Sequence, residues 1–194
     1  MQNNPLVVIA ILLAVVVYFI LRQQTSETLT PLAEKFNGEY ARNDLANMES
    51  FTIPYHECTL IVKLHVLPDT QSVIRAALQT DSPHLPELTL STNSILKKAF
   101  NYEGENRILT GDERFDTLFQ VASDDAGLVR KIFSEDVREG LKNKILHMPT
   151  FEMSPNTFAM KAFLLNFSPS PERSATVLEH FTKTAISILD RAWQ

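Results

Sequence analysis

The residues closest to a chemical constellation are Asp112, Glu113 and Asp116, with Asp124 and Asp125 a turn or two later. Three carboxylates can offer oxygen ligands to a hard cation such as Ca²⁺ or Mg²⁺. The spacing is not that of an EF-hand loop, and the terminal Glu of such a loop is missing. Turns and helix caps use the same residue types. Gly111-Asp112 reads as a turn, Asp116 as a local cap or pairing partner, and Asp124 as the cap of a following helix.

A second pair is His56 and Cys58. On a strand, two residues two apart share a face, and a cysteine nucleophile needs a histidine base. Cys58 runs straight into an apolar strand, however, where a buried and inert thiol is the commoner outcome. The remaining histidines, His65, His84, His147 and His180, form no i, i+4 pair and no His-Glu-x-x-His. There is no Gly-x-Ser-x-Gly, no phosphate-binding loop and no Gly-x-Gly-x-x-Gly. The sequence therefore assigns no catalytic, cofactor-binding or metal-ligating residue. Small basic clusters, Lys97-Lys98 and Arg138 with Lys142 and Lys144, could face anionic headgroups or form a solvated helix face.

The elements that must carry these residues read as a mixture of strands and helices. Thr30-Pro31 is placed to open a short helix with Leu32, Ala33 and Phe36 on its apolar side, stopped at Asn37-Gly38. Phe51 and Ile53 alternate in a strand that Pro54 confines to an edge or an end. Thr59–Val66 is the strongest strand, with Leu60, Val62, Leu64 and Val66 on one face and Ile61, Lys63 and His65 on the other. Ser72–Gln79 fits a helix or a strand by composition, and its place between two turn-rich segments favours a strand; Glu87–Ser91 reads as a short strand. No helix separates them, which predicts an antiparallel meander.

Ser91–Phe100 reads as a short helix, Asn101–Asn106 as a loop and Phe115–Ala122 as a strand. Helices over Ala126–Phe133 and Val137–Leu146 follow, the second opened by Ser134-Glu135-Asp136. Thr150–Met153 and Thr157–Asn166 form a hairpin across Ser154-Pro155-Asn156. A long final helix, from about Glu172 to Trp193, carries the stripe Leu178, Phe181, Ala185, Ile188, Leu189 and Ala192.

Ahead of all this lies Pro5–Leu21 (PLVVIAILLAVVVYFIL), uncharged and almost wholly aliphatic. Its length sits at the lower limit of about 17 residues for a membrane-spanning helix. Asn3, Asn4, Arg22 and Gln23 flank it, and Tyr18 suits an interface. A signal peptide would want a basic n-region, a shorter core and a small-residue cleavage site, none of which is present. The expected organisation is an anchor over residues 1–22, a polar tether over 23–29 and one domain over 30–194. Arg22 and Lys35 follow the run while only the α-amino group precedes it, which by the positive-inside rule puts the domain on the cytoplasmic side.

About 170 residues beyond the anchor suffice for one domain with its own core. A net charge of −5 argues against a nucleic-acid surface. The single cysteine excludes an internal disulfide or a multi-cysteine zinc site.

Several stretches occur in an order shared with known proteins: Val73–Ala77 (VIRAA), Leu88–Leu90 followed by Ser94-Ile95-Leu96, Thr110-Gly111-Asp112 with Phe115-Asp116, and Phe133–Arg138 (FSEDVR). In these the chain resembles a family of uncharacterised bacterial membrane-anchored α+β proteins of unknown function, over roughly Leu29–Ile145. The resemblance implies a fold and no activity.

The expectation is thus an α+β protein with an N-terminal single transmembrane helix, a largely antiparallel sheet, several packed helices and a long C-terminal helix. Its expected role is that of a non-enzymatic accessory or binding protein docking on a larger integral-membrane complex. The alternative is an enzyme or a small-ligand or metal-binding domain whose site is scattered in sequence, with Asp112, Asp116, Cys58 and His56 the first residues to mutate.

Overall fold

The computed structural model describes residues 5–66, 71–79, 85–92, 107–165, 167 and 170–193. They form one antiparallel sheet with helices packed on one of its faces. The strands are β1 (Glu39–Asn43), β2 (Met48–Tyr55), β3 (Cys58–His65), β4 (Gln71–Gln79), β5 (Leu88–Thr92), β6 (Arg107–Ile108), β7 (Phe119–Ala122), β8 (His147–Ser154) and β9 (Thr157–Leu165). Their order across the sheet is β1-β2-β3-β4-β9-β8-β5-β7-β6, every neighbour antiparallel. The helices are α1 (Pro5–Glu34), α2 (Glu113–Leu118), α3 (Ala126–Ile132), α4 (Glu135–Lys142) and α5 (Pro171–Ala192).

The α+β class, the antiparallel sheet and the long C-terminal helix are as expected. The alternation of apolar residues explains the strands. In β3, Leu60, Val62 and Leu64 are fully buried, and in β9 Phe158, Met160, Ala162 and Leu164 lie on the same inner face. Pro54 falls two residues beyond Thr52, where β1's pairing ends, so its missing N–H leaves no ladder bond unmade on that side. The expected meander holds for β2 to β4, with the unanticipated β1 added at its edge, and then breaks, because β4 pairs with β9 and β5 pairs with β7 and β8.

The helix α5 lies on the inner face with Leu178, Phe181, Ala185, Ile188 and Leu189 fully buried. Ser170 caps it, its Oγ accepting from the Arg173 N–H at 3.3 Å, and Pro171 occupies the first turn. A chain of aromatic contacts, Phe119–Phe115–Phe133–Phe151–Phe158, extends the core under the far half of the sheet.

The N-terminal part differs most from expectation. Gln23–Thr28 is not a separate tether, and Thr30-Pro31 does not open a helix: one helix runs unbroken from Pro5 to Glu34 with Pro31 inside it. Propagating an existing helix is far easier than nucleating a new one. The burial of Leu29 and Ala33, both wholly inaccessible, offsets the donor that Pro31 removes. Leu32 and Phe36 pack against the core rather than lying free. Asn37, with φ of 54°, takes the left-handed position after the helix. Gly38 is needed for close approach, since a Cβ there would lie 2.8 Å from both the Thr52 carbonyl oxygen and Ile53.

At the other end of α1, Val7 to Ile20 expose their large apolar side chains, 58% for Ile11 and 60% for Leu13. Among the described residues no helix is long and apolar enough to cross a membrane. The apolar side chains described in α1 cover about 14 residues, roughly 21 Å of helix.

Phe115–Ala122 is not one strand. Its first half is α2, because Asp112 accepts from the Phe115 N–H at 3.0 Å and Thr117 Oγ1 donates to the Glu113 carbonyl at 2.7 Å. Only Phe119–Ala122 is extended. The helix expected to reach Leu146 ends at Lys142. The helix expected over Ser91–Phe100 begins as strand at Ser91-Thr92, and its remainder, with the Asn101–Asn106 loop, lies outside the described residues.

Candidate functional site

The acidic group is used up in local structure. Asp112 is the N-cap of α2, and its Oδ2 also meets Lys142 Nζ at 2.9 Å and Arg138 Nε at 3.3 Å. The Lys142 hydrogen bond, with the Phe115 N–H and the Arg138 charge, lowers the Asp112 carboxyl to about 2. Asp116 accepts from the Thr110 N–H and hydroxyl and from the Gly111 N–H, closing the turn before α2. Asp125, rather than Asp124, caps α3 through the Gly127 and Leu128 N–H groups. Glu113 lies in the first turn of α2, where negative charge is favoured. Among the described residues no group of three His, Cys, Asp or Glu side chains is arranged to hold a metal ion.

The pair His56 and Cys58 is not on one strand face. His56, with φ of 51°, is in the turn of the β2–β3 hairpin, while Cys58 is the first residue of β3 and buried. The His56 ring stacks on Trp193 at 5.0 Å, and Trp193 also meets Tyr55 edge-on. Tyr55 in turn donates to Asp190 at 2.7 Å. These contacts fasten the end of α5 to the hairpin. His180 is likewise structural, its Nε2 lying 2.9 Å from the Gly140 carbonyl oxygen. Nor do Arg138 and Lys142 form a free basic face, since both converge on Asp112; Lys97-Lys98 and His84 lie outside the described residues.

A buried polar cluster joins β1, β2 and α5. Glu49 on β2 is 7% exposed, pairs across the ladder with Arg42, and hydrogen-bonds Ser174 in the first turns of α5. Burial pushes its carboxyl above the usual range, against the Ser174 bond and the Arg42 charge. Tyr40 beside it is pushed up to about 12, by burial and then by Glu49.

The surface that stands apart is the outer face of the sheet, away from the helices. Lys63 on β3 is directly opposite Arg75 on β4, and Arg75 is directly opposite Lys161 on β9. All three side chains are exposed. Adjacent strands lie about 4.8 Å apart, so three cations follow one another across roughly 10 Å. Like charges directly opposite in a sheet are destabilising, and none of the three makes an ion pair with another described residue. Lys161 Nζ lies 5.9 Å from the centroid of the Phe163 ring.

Apolar rows flank the cations. Ile61, Ala77 and Ala159 follow one another on one side, with Glu152 and Thr89 beyond them. Val73 and Phe163 lie on the other side, with His65 and His147 at the ends of that row. The small side chains of Ala77 and Ala159 leave a trough of about 540 Å³ bordered by Arg75, Lys161, Thr150, Glu152 and Thr89. The alternation of β3 placed Lys63 on the outer face, but bringing it beside Lys161 depends on the β4–β9 pairing between distant segments.

No family model and no curated protein matches the chain. Among solved structures, the crystal structure of the mycobacterial trehalose monomycolate transport factor A, TtfA, is 9% identical, with 84% of this chain and 96% of that chain covered and a TM-score of 0.37. That likeness is too distant to carry an argument about function.

Proposed function

We propose that this chain is a membrane-anchored binding or accessory protein without catalytic activity of its own, docking on a larger integral-membrane complex. The observation that carries the reading is the two-ended character of α1. One end exposes apolar side chains from Val7 to Ile20, large at every position but Ala10 and Ala14, and the other buries Leu29 and Ala33 completely in the domain. A contiguous apolar surface of this kind on a soluble particle marks an interaction site. Together with Pro5, Leu6 and Leu21, its composition suits lipid, and the run reaches the lower limit for a span.

The continuity of α1 gives the proposal a mechanical content. From Ile20 to Leu29 the helix rises about 14 Å, so the domain stands on a stem. Just past the domain end of α1, Lys35 meets Glu179 of α5 at 2.8 Å. Such a stem fixes the height of the domain above the bilayer, as a docking subunit requires. Arg22 and Lys35 favour the cytoplasmic side. The test is solubilisation in mild detergent followed by size separation of the native protein. Migration in a larger assembly is expected, and migration only as a free monomer would count against docking.

A further inference from the structure

We infer that the outer face of the sheet, centred on Lys63, Arg75 and Lys161, is the docking surface and that its occupant is an acidic protein segment. The inference rests on the docking role above and names the chemistry of the partner. The first ground is charge. The chain as a whole carries −5, yet three exposed cations stand directly opposite one another on neighbouring strands. Among the described residues no ion pair offsets this like-charge row, and carboxylates placed over it relieve the repulsion. The second ground is shape. A bilayer surface is flat and touches only what protrudes, whereas this face is hollowed by Ala77 and Ala159 into a trough of about 540 Å³. Filling it takes a protruding group such as a side chain of a docked segment. The third ground is the flanking rows. Ile61, Ala77 and Ala159 on one side, and Val73 and Phe163 on the other, give apolar contact beside the charges. A small anion would leave these rows uncovered; an acidic segment with apolar neighbours covers them.

The experiment uses the full chain in detergent micelles and follows the anisotropy of a fluorescein-labelled hexaglutamate peptide. The wild-type chain binds the peptide, and binding weakens as salt is raised. Arg75→Glu weakens it at least tenfold while Tm is unchanged or higher, because the substitution turns two repulsive cross-strand pairs into attractive ones. The triple variant Lys63→Gln, Arg75→Gln, Lys161→Gln behaves like Arg75→Glu. Peptide affinity indifferent to these substitutions, or no binding by the wild type at low salt, would overturn the inference. A parallel measurement in nanodiscs compares neutral with anionic phospholipid. Equal peptide affinity in both supports a protein occupant; peptide binding abolished by the anionic lipid would assign the row to headgroups instead and overturn it. Failure of the chain to enter nanodiscs while the micelle result holds would strike the anchor and leave the docking surface standing.

Discussion

The two faces of the sheet are built from the same strands and obey opposite rules. On the inner face, Leu60, Val62, Leu64, Ile74, Met160 and Ala162 are buried in the core. On the outer face, the residues between them in sequence include Lys63, Arg75 and Lys161, which face one another without an acidic partner among the described ion pairs. The inner face is arranged for stability. The outer face gives some stability up, and such local losses are expected at functional sites.

Substitutions on the two faces should therefore separate stability from binding. Phe181→Ala empties the middle of the α5 contact and should cost about 3–5 kcal/mol, lowering Tm in thermal unfolding without a specific effect on peptide affinity per folded molecule. Gly38→Ala forces a Cβ against the Thr52 carbonyl and should cost about 1–3 kcal/mol, read as a lower denaturant midpoint. Arg75→Glu should do the reverse, gaining roughly 0.5–2 kcal/mol while losing affinity for the acidic peptide. If Arg75→Glu lost stability and kept affinity, the contrast between the faces would fail.

Two smaller effects follow from titration. Glu49 has its carboxyl raised by burial, so the folded state favours its protonated form. Stability then falls as pH rises from the unfolded carboxyl value through the higher folded one. Glu49→Gln should accordingly raise Tm at pH 7 and leave it unchanged at pH 3.5. Asp112 has the opposite sign, lowered to about 2 chiefly by its Lys142 hydrogen bond. Its contribution is complete above the unfolded value and lost as pH falls through the folded one. Asp112→Asn should lower Tm at neutral pH by an amount that shrinks towards pH 2, measured by thermal melts across that range.

What was legible in the sequence follows the range of the interactions involved. Period-two alternation placed β2, β3 and β9, the turns beside them placed β4 and β8, and helical spacing placed α5, because each signal is set within a few residues. The carboxylates Asp112 and Asp116 were legible as turn and cap residues for the same reason. The helical state of Gln23–Thr28 was not legible, since it depends on how Leu29 and Ala33 pack. Nor was α2, whose Phe115 and Leu118 suit a strand equally well until the Asp112 cap decides. His56 next to a strand suggested a shared face with Cys58, but the chain turns between them. The basic row was the least legible. Lys63 and Arg75 belong to one hairpin, whereas Lys161 arrives from far along the chain, and only the register of β4 against β9 aligns it.

The most direct test of the whole account is alkaline carbonate extraction of membranes from cells expressing the full chain, beside a variant with Leu13→Arg and Val16→Arg in the exposed part of α1. The wild-type chain should remain in the membrane pellet and the variant, still folded by its thermal melt, should move to the supernatant. A wild-type chain recovered in the supernatant would contradict the account, because the exposed apolar end of α1 would then have no bilayer to enter.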